Sequence, residues 1–149
     1  MYAAGVASRK RPLLDTTTAS GKSSQKRLEK EIVIWLGTVG ADGTPHAVPV
    51  WFWWDGATFL IYSVPGQKIR DIEANPHVAL HLNTTPDGGD VLRVDGSAKR
   101  LRRQPPAYRV PAYIRKYKAL IKSYGWKPDG FSREYHVALR VTPTRFRFG

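Results

Sequence analysis

Short apolar segments recur along this chain, and glycine, proline and aspartate separate them. An apolar run of this length with turn residues at both ends is typical of a β-strand. The pattern predicts six strands, at residues 32–39, 47–54, 59–64, 77–83, 91–101 and 135–148. In the second strand, Pro49 has no backbone N–H to donate, so we expect that strand to have an incompletely paired edge.

Alternation along residues 47–54 divides this strand between two apolar faces. Val48, Val50, Phe52 and Trp54 share one face, and Ala47, Pro49, Trp51 and Trp53 share the other. In a small barrel one face fills the interior, whereas the other must be covered by a helix or by a second subunit. We therefore expect a homodimer.

Helical patterns are fewer. They occur at residues 25–31, at residues 68–74, where Asn75-Pro76 ends the helix, and at residues 111–124, which have apolar positions at helical spacing. Residues 125–132 are predicted to form a loop. Six strands in antiparallel meander order with a few short helices predict a mainly β protein, a six-stranded antiparallel barrel.

The composition places one domain behind a polar tail. Residues 1–24 are rich in Ser, Thr, Lys and Arg and predict a flexible basic tail, and residues 25–149 are enough for a single domain. We find neither a membrane-spanning apolar run nor a secretory signal, so we expect a cytoplasmic protein that does not associate with membranes. The absence of cysteine excludes disulfides, thiolate metal sites and a cysteine nucleophile.

The formal net charge of +12 is distributed unevenly. Residues 96–128 contain no Asp or Glu but many basic residues, among them Arg102 and Arg103. Such a region attracts nucleic acid, anionic lipid or a small ligand with several negative groups, or it is simply a solvated helix face. Since the aromatic residues lie on predicted core strands rather than among the basic residues, nucleic acid is the weaker interpretation.

A candidate anion site lies at the start of the second helix. Lys68 and Arg70 follow Gly66, which lets the backbone approach a ligand closely, and free N–H groups at a helix start bind anions. Tyr62 and Ser63, at the end of the preceding strand, could add hydroxyl groups. The alternative is that Lys68 and Arg70 are ordinary surface cations.

The remaining candidates for chemistry are sparse. Aromatic residues 51–54 could form a wall for a flat ring, or they could be barrel core and subunit interface. His77 and His81 do not form a persuasive metal site, because they lie on a strand without a neighbouring carboxylate. No catalytic residue can be assigned, so any chemistry would come from a bound organic cofactor.

Three stretches resemble the split β-barrel flavin-binding superfamily, the pyridoxamine-phosphate-oxidase-like proteins, over residues 28–149. They read WLGTVGADGTPHAVPVWFWWDG, IYSVPGQKIRDIEANPHVAL and DVLRVDGSAKR. The sequence is most similar to the branch that uses the deazaflavin coenzyme F420. The resemblance implies a split barrel that binds its cofactor at the interface of a homodimer, with FMN as the alternative cofactor.

The resemblance also implies which residues bind the cofactor. The strand at residues 48–53 would lie along the ring, the next strand and helix would hold the phosphate, and the strand that begins at Val91 would close the site from the second subunit. The implied cofactor-binding residues are Val48, Pro49, Val50, Trp51, Phe52, Trp53, Tyr62, Ser63, Gly66, Gln67, Lys68, Arg70 and Val91.

Two positions depart from the family pattern. Asp71 stands where the family often has Asn, and Gln67 stands where flavin oxidases that bind phosphate commonly have Arg. A carboxylate beside a phosphate is unfavourable unless it points away, and the loss of a cation weakens the case for tight FMN binding.

The implied activity is hydride transfer from the reduced deazaflavin to an electron-poor small molecule. The proton would come from water, from Tyr62 or from His46. A non-catalytic F420-binding protein is a further alternative.

Overall fold

Seven strands and four α-helices follow one another along residues 13–149, the part of the chain that the computed structural model describes. The strands are β1 (Val33–Val39), β2 (Pro45–Trp51), β3 (Trp53–Trp54), β4 (Phe59–Ser63), β5 (His77–His81), β6 (Leu92–Leu101) and β7 (Val137–Phe148). The helices are α1 (Ala19–Lys30), α2 (Gln67–Ala74), α3 (Pro111–Ser123) and α4 (Pro128–Glu134), and a 3-10 turn covers Ala107–Arg109.

All seven strands form one antiparallel sheet in the order β2-β1-β5-β6-β7-β4-β3. The two edge strands, β2 and β3, are separated in sequence by a single residue, Phe52. The sheet must therefore curl until its edges meet, and β2 also lies against β4. The predicted mainly β barrel is confirmed, but the meander order is wrong for β4, which pairs with β7. Pro49 lies on an edge strand, as predicted.

The predicted second strand is interrupted at Phe52, which raises the number of strands from six to seven. Phe52 is fully buried and lies outside the ladder between β2 and β3. Its N–H donates to the hydroxyl of Tyr117 on α3 at 2.8 Å, and its carbonyl accepts from Lys116 Nζ at 3.0 Å. Side chains of α3 thus satisfy the backbone where strand pairing stops.

The two faces of the sheet carry two apolar clusters, as the alternation predicts. Val50, Phe52 and Trp54 belong to the larger cluster inside the barrel. Trp51 and Trp53 pack outside, against a cluster that consists of residues from β4, the 3-10 turn, α3, α4 and β7. The outer face is therefore covered in part by helices of the same chain.

The largest differences from the predicted boundaries concern two helices. Helix α1 begins at Ala19 rather than at residue 25, because the Thr18 side chain caps it and Leu28 buries its inner face. The part of the predicted tail at residues 1–12 lies outside the described residues. The predicted loop at residues 125–132 overlaps α4 (Pro128–Glu134), in which Phe131 is buried. No helix within residues 13–149 is both long and apolar enough to span a membrane.

Candidate functional site

A cavity of about 520 Å³ lies beside the outer face of β2 and β4. Strands β2 and β4, helix α2 and the segment from the end of α3 to Tyr135 supply most of its walls. Six of the predicted cofactor-binding residues line it: Pro49, Val50, Trp51, Tyr62, Ser63 and Lys68. The fold thus brings together the predicted ring-binding strand and the predicted anion site, although cofactor binding by these residues stays a prediction.

Lys68 is the only cation that lines the cavity, counted over the described residues. It lies on the first turn of α2 and is half-buried, and burial lowers the pKa of its ammonium group below the ordinary value. No carboxylate within residues 13–149 lies within 4.0 Å of it. A partly desolvated ammonium without a carboxylate partner is suited to an anionic ligand.

The start of α2 has room for such a ligand. No side chain caps this helix, so its first backbone N–H groups have no partner from a capping side chain. At Gly66, which precedes the helix, an added Cβ would meet no atom within 4 Å. The open space, the free end of the helix and Lys68 together fit a phosphate group.

The two predicted hydroxyl groups are already used within the protein. Tyr62 Oη donates to the carbonyl of Pro105 at 2.6 Å, and Ser63 Oγ donates to the carbonyl of Val64 at 2.7 Å. Burial raises the pKa of Tyr62 above its ordinary value. These hydroxyls can accept hydrogen bonds in the cavity, but their protons point elsewhere.

Trp51 lines the cavity, and two aromatic rings of the same chain stack on its indole ring. Its ring lies 4.6 Å from that of Tyr117 at an angle of 5°, and 5.4 Å from that of Phe131 at 17°. The contacts with Tyr117 and Phe131 give Trp51 a role in packing, and its role as a wall for a planar ligand stays a prediction.

Six further residues line the cavity, and none of them was predicted to belong to the site. They are Val33, Ile121, Tyr124, Trp126, Phe131 and Tyr135. Four of them are aromatic, and Tyr124, Trp126 and Tyr135 keep large exposed surfaces. The high density of aromatic residues between α3 and β7 could have pointed to them. The Gly, Pro and Asp residues of that segment instead led to the prediction of a loop.

The other predicted cofactor-binding residues do not line the cavity. Val48 and Phe52 pack on the barrel interior, and Trp53 packs beside α3. Gly66 and Gln67 flank Lys68, and Arg70 is exposed and donates to the Gln67 side chain at 3.0 Å. Val91 is half-buried directly before β6.

Asp71, on the other side of α2, is almost completely buried with 1% of its surface exposed. It accepts hydrogen bonds from Thr38 Oγ1 at 2.7 Å and from Gln67 Nε2 at 2.7 Å, and His46 Nδ1 lies 2.8 Å away. Burial raises the pKa of this carboxyl, but the bonds from Gln67, Thr38 and His46 outweigh it and leave the pKa lowered. Asp71 is therefore an ionised carboxylate with its own partners.

Metal binding finds no support in the described part of the chain, which has no group of three or more His, Asp or Glu placed to hold an ion. Neither His77 nor His81 lines the cavity. The absence of a histidine metal site stays a prediction.

Comparisons with solved structures show the same fold in other proteins. A structure described as an F420 reductase has 29% sequence identity and a TM-score of 0.61, with 83% of this chain and 94% of that chain covered. A pyridoxamine 5'-phosphate oxidase-like protein from Listeria innocua has 23% identity and a TM-score of 0.62, with 85% and 94% covered. The haem storage protein HutZ from Vibrio cholerae has 18% identity and a TM-score of 0.61, with 85% and 93% covered.

The search of curated proteins found no match to this sequence. The family is shown instead by a match over nearly the whole chain. Residues 21–148 match the family described as pyridoxamine 5'-phosphate oxidase, which includes β1 to β7 and the entire lining of the cavity. With the curled antiparallel sheet and the predicted motifs in place, this chain belongs to the pyridoxamine 5'-phosphate oxidase family.

Proposed function

We propose that this protein is an oxidoreductase that binds a phosphorylated flavin-type cofactor in the cavity, with coenzyme F420 as the first candidate. The family match and the 29% identity to an F420 reductase support this choice. Lys68 is the observation that carries it, because its half-buried ammonium lines the same cavity as Trp51 and lies on the first turn of a helix that no side chain caps.

Different residues would bind the phosphate and the ring of the cofactor. Lys68 and the first N–H groups of α2 would hold the phosphate, while Trp51, Val50 and Pro49 would flank the ring. A reduced deazaflavin or flavin, when bound, supplies a hydride for an electron-poor small molecule. The lining of the cavity would fix the orientation of the reactants.

Water is the proton source that the geometry favours. Tyr62 donates its proton to the Pro105 carbonyl and has a raised pKa, so it is a poor acid at neutral pH. His46 does not line the cavity. The chain thus positions and shields its ligands rather than supplying an acid.

A homodimer belongs to the same proposal. The exposed rings of Tyr124, Trp126 and Tyr135 lie at the rim of the cavity, and a second copy would cover part of this apolar surface. Val91, which does not line the cavity of its own chain, would then be contributed to the site of the other copy. Light scattering after size exclusion should give twice the mass of one chain, and a monomer at micromolar concentration would contradict the dimer.

Titration with F420 and with FMN tests the cofactor, followed by ligand fluorescence and visible absorbance. Lys68→Ala should weaken binding of the phosphorylated ligand by about 10- to 100-fold, the range expected for a charge-assisted contact of about 1.5–3 kcal/mol. Lys22→Ala, which removes an exposed lysine on α1, is the matched control and should change nothing.

The outcomes separate the alternatives. Tight F420 binding with reduction of an acceptor supports the reductase, and preference for FMN identifies a flavin enzyme of the same fold. Tight F420 binding without turnover of any acceptor indicates a non-catalytic binding protein. If neither cofactor binds, or if Lys68→Ala binds as well as the unmodified protein, the proposal is wrong.

A further inference from the structure

A group of hydrogen-bonded side chains around a buried carboxylate links the first turn of α2 to the hairpin of β1 and β2. Its centre is the Asp71 carboxylate, which is 1% exposed. Thr38 comes from β1, His46 from β2 and Gln67 from the first position of α2, and all three lie within 2.8 Å of an Asp71 oxygen. Three separate elements therefore meet at one carboxylate. We call the group of Thr38, His46, Gln67 and Asp71 the Asp71 clamp.

The Asp71 clamp fixes a residue that would otherwise be free. Gln67 is exposed, yet its Nε2 donates to Asp71 Oδ1 at 2.7 Å and its Oε1 accepts from Arg70 Nη2 at 3.0 Å. Both ends of the amide are thus used, and the side chain bridges the first turn of α2. These are also the two positions, Gln67 and Asp71, at which the sequence departs from the family pattern.

The location of the clamp matters because Lys68 lies inside the turn that it holds. Gly66 precedes the turn and has open space beside it, Gln67 and Lys68 begin it, and Asp71 follows one turn later. The backbone N–H groups of a first turn bind an anion well only when they are held in a fixed direction. A restraint on Gln67 is therefore a restraint on the turn that carries Lys68, which lines the cavity.

The charge of Asp71 would oppose a nearby anion if it were not compensated. Burial of an ionised carboxylate is costly unless donors surround it. Here Thr38, Gln67 and His46 supply three contacts to the carboxylate from inside the protein. Asp71 can thus organise the turn without competing for Lys68, with which it forms no ion pair.

We infer that Asp71 is a positioning residue for phosphate binding, acting through Gln67 on the first turn of α2. The inference rests on the proposed function, because it assumes that a phosphorylated cofactor occupies the cavity. It deepens that function by assigning part of the affinity for phosphate to a residue that touches neither the cofactor nor the cavity.

The ratio of two affinities tests this assignment better than activity does. FMN and riboflavin differ only in the phosphate, and F420 can be compared in the same way with its deazaflavin core lacking the phosphodiester. In the unmodified protein, the phosphorylated member of the pair should bind at least 10-fold more tightly. Asp71→Ala should reduce this preference about 5- to 10-fold, mainly by weakening the phosphorylated ligand.

Two companion variants keep the test decisive. Gln67→Ala changes an exposed side chain, so it should fold normally, and it should reduce the preference about 3-fold. Asp71→Asn keeps an oxygen that can accept from Gln67 and should retain most of the preference. Asp87→Ala is the matched control, since Asp87 also accepts from a threonine hydroxyl but lies in the exposed loop between β5 and β6.

Each result has one meaning. If neither phosphorylated ligand is preferred by the unmodified protein, the proposed function fails and the inference fails with it. If the preference is large but Asp71→Ala and Gln67→Ala leave it unchanged, the inference alone is overturned. Equal weakening of both members of a pair, with only a lower melting temperature, would likewise show a purely structural Asp71.

Discussion

Lys116 should make the stability of this protein rise with pH in the alkaline range. Its ammonium lies 3.7 Å from the centre of the Phe52 ring and donates to the Phe52 carbonyl at 3.0 Å, at the point where β2 and β3 separate. Burial lowers the pKa of this lysine from 10.5 to about 8, although Glu31 acts in the opposite direction. The folded protein therefore releases this proton more readily than the unfolded chain does.

The sign and the size of the effect follow from proton linkage. Between about pH 8 and pH 10.5, the unfolded chain binds more protons at this site than the folded protein, so the free energy of unfolding increases with pH. The two pKa values differ by about 2.5, which corresponds to about 3.4 kcal/mol at 1.36 kcal/mol per unit. Because the amine is only partly buried, solvent screening reduces this contribution to about 1–2 kcal/mol.

Urea unfolding of the protein and of Lys116→Met at several pH values isolates this contribution. Methionine keeps an apolar stem over Phe52 and cannot titrate. The difference in unfolding free energy, unmodified protein minus variant, should increase by about 1–2 kcal/mol from pH 7 to pH 10. Subtraction removes the titration of other groups, and Lys118→Met, an exposed lysine on the same helix, should show no such increase.

A constant difference across this range would refute the reasoning. It would mean that Lys116 keeps an ordinary pKa in the folded protein, and hence that its ammonium remains hydrated. A decrease with pH would be more damaging, because it would require the folded state to hold the proton more tightly than the unfolded chain does. Chemical modification of the amine at pH 8 provides an independent measure of its ionisation.

Two further predictions concern the barrel junction and the basic region. Tyr117→Phe should lower the free energy of unfolding by about 2–3 kcal/mol, because it leaves the buried Phe52 N–H without its acceptor; an unchanged urea midpoint would contradict this. Replacing Arg102 and Arg103 with Ser should weaken F420 more than an analogue without glutamates, since the basic region would guide the anionic tail. Equal losses in fluorescence titrations would exclude that role.

Local patterning determined the strands, because alternation along a short segment depends on neighbours in sequence. Residues 47–54 were divided correctly between two faces, with Val50 inside the barrel and Trp51 outside. The break at Phe52 was not predictable in this way. The hydrogen-bond partners of its backbone are the side chains of Tyr117 and Lys116, which lie 65 and 64 residues away in sequence. No feature of the strand sequence predicts these contacts.

The candidate site shows the same division. Lys68 could be found from sequence because glycine, turn and helix start are adjacent to it. The aromatic residues of α4 and its flanks were not predicted to belong to the site, because Gly, Pro and Asp in that segment are typical of a loop. The segment forms a helix in which Phe131 is buried against other elements. The partners of Asp71 were hidden for the same reason, since Thr38 and His46 lie 33 and 25 residues away.

The single-residue link between β2 and β3 has a consequence for the order of assembly. Tyr117, which accepts from the Phe52 N–H where the edges of the sheet meet, and β7, which pairs with β4, both lie far along the chain from residues 52–63. The barrel therefore cannot close before residues 137–148 are free to pair, however well the early hairpins form. Pairings between segments so distant in sequence slow folding, so this chain should fold more slowly than a helical bundle of similar length.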